Sequence, residues 1–80
     1  MKLKKSQIQT LIIRIPKDQA AFTYFQLESN EGLFFYSTLE ESLKEPYRDL
    51  QLNYHHSLET EALQFLKYLE KEVKIIILES

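Results

Sequence analysis

The sequence predicts an α+β domain in which two helices cover one face of a four-stranded antiparallel sheet. Three observations carry this expectation. Residues 8–15, 33–39 and 47–55 are rich in β-branched, aromatic or alternating apolar side chains, as strands are. Residues 57–73 repeat apolar side chains at helical spacing. The elements fall in the order β-α-β-β-α-β within 80 residues, a length that builds one domain. The expected division is a tail over residues 1–7 and a single domain over 8–79.

The first strand reads Ile-Gln-Thr-Leu-Ile-Ile-Arg-Ile over 8–15. Leu11, Ile13 and Ile15 share one face and form the expected core, while Thr10, Ile12 and Arg14 share the other. Pro16 suits the first turn of a helix, and Asp18 is placed to favour the positive end of its dipole. At 100° per residue, Ala21, Phe22 and Phe25 form one apolar stripe, and Ala20, Tyr24 and Leu27 lie outside it. The helix is expected to end near Ser29, because Asn30 and Gly32, the only glycine, tolerate left-handed backbone.

In the second strand Leu33, Phe35 and Ser37 alternate against Phe34, Tyr36 and Thr38, so aromatic rings stand on both faces and the register is open. Pro46 closes a charged connection. In the third strand Leu50, Leu52 and Tyr54 alternate cleanly against Asp49, Gln51 and Asn53. Ser57 is the expected N-cap of the second helix, with Glu59 and Glu61 in its first turn. Leu58, Ala62, Phe65, Leu66, Leu69 and Val73 form its buried stripe. The chain returns through Ile75-Ile76-Ile77-Leu78, a buried-looking strand whose flanking charges discourage edge pairing. Two βαβ-type halves with right-handed crossovers make this the ferredoxin-like βαββαβ sandwich.

Composition narrows function. Twelve acidic residues against ten basic ones, a formal charge of −2, argue against nucleic acid as a partner. The third strand also lacks the basic, glycine and aromatic signature by which sheets of this element order stack RNA bases. Zero cysteine excludes disulfides, thiolate metal sites and a cysteine nucleophile. No apolar run approaches the ~20 residues of a membrane span, and no export signal is seen, so no membrane partner and a cytoplasmic location are expected. No motif calls for a cofactor, and none is expected.

Arg14-Ile15-Pro16-Lys17-Asp18, Ala21-Phe22, Phe25, Leu27-Glu28, Glu31-Gly32-Leu33 and Ser37-Thr38, in that order, resemble a small bacterial family catalogued as domain of unknown function 4911. The likeness covers residues 11–39 closely and 47–72 by element order. The stretch 40–46 and the final strand depart from the family's short form. The resemblance implies a small bacterial cytosolic protein and transfers no catalytic residue.

The candidate ligand-binding residues are Arg14, Glu28, Glu31, Gly32 and His55. Arg14 is a cation on a strand, able to pair with Asp49 or to receive a carboxylate or phosphate. Glu28 and Glu31 are acids near the sheet rim. Gly32 permits a turn or a close ligand approach. His55 and His56 are the only histidines; as neighbours on a strand they point apart, so no metal site is expected. No nucleophile accompanies these groups, and no catalytic residue is assigned. An enzyme using Glu28, Glu31 or His55 and an RNA-binding module are the alternatives. The leading expectation is a self-associating binding or regulatory module, a homodimer with room for a small-molecule ligand. The regulatory amino-acid-binding ACT modules share this element order. Ile12, Tyr24, Leu27, Phe34 and Tyr36 are its expected interface, as apolar side chains in excess of what one core needs.

Overall fold

β1 (Ile8–Pro16) lies inside the sheet and pairs antiparallel with β3 (Tyr47–His55) on one side and β4 (Ile76–Glu79) on the other. β2 (Phe35–Thr38) pairs antiparallel with β3, which gives the order β2-β3-β1-β4. The helices α1 (Ala20–Ser29) and α2 (Glu59–Leu69) connect the strands, each entered through a short 3₁₀ turn. This is the ferredoxin-like sandwich expected from the element order. The computed structural model describes residues 7–30 and 32–80. The expected tail, apart from Gln7, lies outside them.

Alternation in β1 and β3 selects the core. Leu11 faces Leu52 and Ile13 faces Leu50 across the ladder, and all four are buried with Ile15 and Tyr54. The second layer comes from Ala62, Phe65, Leu66 and Leu69 of α2, followed by Val73. Leu58, expected in the same stripe, is only half-buried. Phe34 packs edge-on against Tyr54, with centroids 5.8 Å apart, and tilts against Phe65 at 5.5 Å.

Three expectations are corrected, and the register of β2, open in the sequence, is decided. The inward face of α1 carries Ala20, Thr23 and Leu27, with Tyr24 half-buried; Phe22 and Phe25 turn outward at 39% and 65% exposure. Apolar residues surround this helix, so periodicity could not choose a face; the sheet beneath it did. Thr23 can enter the core because its hydroxyl donates to the Gln19 carbonyl within the helix. The register of β2 places Tyr36 and Thr38 on the helix side, opposite Leu52 and Leu50, with Phe34 buried just before the strand. Phe35 and Ser37 therefore take the open face. Ser57 does not cap α2: its backbone N–H and hydroxyl both meet His55 Nδ1, and the chain makes a 3₁₀ turn before the helix begins. β4 is shorter than expected and exposed along its whole length, because no second layer covers this edge.

Leu69→Ala should cost about 2–5 kcal/mol in urea unfolding, because the side chain is fully enclosed. Phe25→Ala should stay within about 0.5 kcal/mol of the parent. Equal losses at the two sites would overturn this assignment of helix faces.

Candidate ligand cavity and interaction edge

The best-organised polar group on the open face is built around Arg14. Its position on β1 lies opposite Asp49 of β3 and Ile76 of β4. Arg14 Nε donates to Asp49 Oδ1 at 2.8 Å and Nη2 donates to Oδ2 at 3.0 Å. The guanidinium carbon stands 3.8 Å from the centroid of the Tyr47 ring, a cation–π contact. Hydrogen bonding to Asp49 raises the Arg14 pKa above its ordinary value, against an opposing effect of burial. Two hydrogen bonds and a ring face hold the cation in one pose.

The connection from β2 to β3 is tied down behind this group. Arg48 Nη1 donates to the carbonyls of Ser42, Glu45 and Tyr47. The buried Ser42 hydroxyl accepts from the Asp49 backbone N–H and donates to the Leu39 carbonyl. Lys17 N donates to the Pro46 carbonyl at 3.0 Å, which brings the segments carrying the two prolines together. Between them lies a cavity of about 290 Å³ walled by Pro16, Pro46, Tyr47 and Ile76, with Arg14 and Lys74 beside it. Lys74 is anchored through its backbone N–H, which donates to Gln19 Oε1 at 3.0 Å. A larger, open groove of about 440 Å³ between the helices is lined mostly by amide and acidic side chains. Asn30, one of those amides, already donates to the Gln26 carbonyl.

The other candidate residues do not join Arg14. Arg14 and His55 sit near opposite ends of the β1–β3 ladder. Glu28 accepts a 2.6 Å hydrogen bond from the Tyr36 phenol. Gly32 has φ of 86°, in the left-handed region, and a Cβ there would meet nothing within 4 Å. Its requirement is conformational. Glu31 lies outside the described residues. His55 and His56 are corrected in geometry: their rings stack with centroids 4.8 Å apart, because β3 ends at His55 and the next residue opens a turn. Among the described residues no three His, Asp or Glu side chains are grouped to hold a metal ion. Sequence reasoning overlooked Lys74, Pro46 and Arg48. The only signal for them was the register that sets Pro16 against Tyr47.

Of the expected interface residues, only Ile12 lies on the open face, half-buried. Leu27 and Phe34 are core. Tyr24 and Tyr36 stack on each other at 5.5 Å, and Tyr24 bonds to the Thr38 hydroxyl. The open face itself is largely polar, with a Thr10–Asn53 hydrogen bond across the strands. Exposed apolar side chains are spread over Phe22, Phe25, Phe35, Leu43, Leu63 and Tyr68, and three more stand in a row at the sheet edge. Ile76, Ile77 and Leu78 are 49%, 54% and 44% exposed, and among the described residues β4 pairs only with β1.

No protein-family model, curated protein or solved structure matches the chain. Among the described residues no helix is long and apolar enough to cross a membrane.

The Tyr36 phenol is pushed from 10.0 up to about 12, first by its hydrogen bond to Glu28, then by burial and by the carboxylate's charge. A pKa raised on folding stabilises the fold fully below the unfolded value of 10.0 and loses that contribution as pH rises through about 12. In a tyrosinate absorbance titration, Glu28→Gln should move one tyrosine to lower pH. An unchanged titration would show that the bond does not control Tyr36.

Proposed function

We propose that the protein is a self-associating interaction module in which two copies join through β4. The observation that carries this reading is the three-residue apolar run on a strand edge that no other strand pairs among the described residues. Such an edge offers free backbone donors and acceptors together with side chains that gain by leaving water. A twofold pair of edge strands runs antiparallel and sets one residue opposite its own copy. With Ile77 at that position, Ile76 lies beside the partner's Leu78, Glu79 faces the partner's Ile75, and Lys74 faces the partner's Ser80, so no charge falls opposite Ile76, Ile77 or Leu78. Centring on Ile76 would oppose Lys74 to the partner's Leu78. Centring on Leu78 would oppose Glu79 to the partner's Ile77.

The energetics make this a weak association. Covering the exposed halves of six such side chains gains about 4–9 kcal/mol. Association costs an estimated 4–15 kcal/mol, and new backbone hydrogen bonds across the edge supply part of the difference. The dimer is therefore concentration-dependent. A cytoplasmic setting and the likeness to the family of domain of unknown function 4911 belong to the same proposal. Neither adds an activity to it.

Sedimentation equilibrium at tens to hundreds of micromolar should show reversible dimer formation. Ile77→Lys should give a monomer with an unchanged far-ultraviolet spectrum, because the position is exposed. A parent protein that stays monomeric throughout overturns the proposal. So does a dimer that survives Ile77→Lys but is lost on Phe25→Lys, since its interface would then be α1.

A further inference from the structure

We infer that the cavity between the end of β1, Pro46–Tyr47 and Lys74–Ile76 binds a small, amine-free monocarboxylate with an apolar body. This goes beyond self-association and does not require it, although Ile76 belongs both to the cavity wall and to the proposed β4 interface. The cavity has the division of labour that small-ligand sites show: a mostly apolar wall and a few fixed polar groups. Pro16, Pro46, Tyr47 and Ile76 supply the wall of a solvent-open hollow of about 290 Å³, a size that suits a small ligand. Two proline rings and a tethered loop make that wall rigid before any ligand arrives, which lowers the cost of binding.

Charge selects the ligand further. Arg14 spends Nε and Nη2 on Asp49, while Nη1 makes no hydrogen bond among the described residues. The end of the guanidinium defined by Nη1 and the second hydrogen of Nη2 therefore retains donors matched in geometry to a carboxylate. Lys74 uses its backbone N–H on Gln19, and its ammonium forms no ion pair among the described residues. The Glu45 carboxylate also acts on Arg14 but does not line the cavity; Arg14 and Asp49 neutralise each other, which leaves Lys74 as the uncompensated cation of the lining. A monoanion balances it. A dianion would keep an uncompensated charge against an apolar wall, which is unfavourable. A ligand ammonium would meet two cations and find the Asp49 carboxylate already occupied, hence the exclusion of amines.

The test is a ¹⁵N–¹H correlation titration of the full chain with sodium benzoate at millimolar concentrations. Benzyl alcohol serves as the uncharged counterpart and inorganic phosphate as the dianion-forming one. Saturable shifts confined to Arg14, Tyr47, Lys74 and Ile76 are expected with benzoate. Lys74→Met should weaken binding roughly tenfold and Lys74→Glu should abolish it. Both variants keep the backbone bond to Gln19, and their thermal unfolding should match the parent. The inference is overturned if benzoate gives no saturable shift, if the shifts scatter over the surface, or if Lys74→Glu binds as the parent does. It is equally overturned if benzyl alcohol binds as well as benzoate, or if phosphate competes as strongly. The Ile77→Lys variant, titrated alongside, should bind benzoate as the parent does, so failure of the dimer and failure of the cavity read out separately.

Discussion

The nine-pair antiparallel ladder between β1 and β3 is the constraint on which the other features depend. It sets Leu11 and Ile13 against Leu52 and Leu50, which creates the apolar floor both helices cover. By the same register it sets Arg14 against Asp49 on the opposite face. A slip of one residue would send the leucines and isoleucines to water and bring the ion pair beneath the helices. Core and polar cluster are thus two faces of one pairing.

The Arg14–Asp49 pair contributes more to geometry than to stability. It is partly exposed, and ion pairs open to solvent add little net stability. Its effect is to immobilise a cation whose remaining donors would otherwise sweep a wide volume. The Tyr47 ring and the Arg48 contacts to three loop carbonyls act in the same direction. The opposite end of the sheet is held differently: His55 Nδ1 meets the Ser57 N–H and hydroxyl, and its ring stacks on His56.

The helices divide their work unequally. α2 presents one apolar stripe and closes the core over it. α1 buries Ala20, Thr23 and Leu27 and leaves Phe22 and Phe25 outside. β4, reached at the end of the second crossover, pairs among the described residues only with β1 and leaves its isoleucines exposed. Exposed apolar side chains also stand on α1, β2 and α2, but at β4 they form a continuous run on a strand edge.

Alternation in β1 and β3, the stripe of α2 and the element order were legible from the residues alone. Each is a local periodic pattern with one buried solution. The same alternation made Arg14 and Asp49 a foreseeable pair. Where both candidate faces were apolar, local pattern had no preference. In β2, Phe34 and Phe35 were equal claimants to the core, and in α1 Leu27 competed with Phe25. Those choices were made by the layer each element packs against, because burial rewards whichever side chain finds a facing surface. The cavity was less legible still. Pro16, Pro46 and Lys74 are far apart in sequence, and only the closing of the sheet around β1 brings them together.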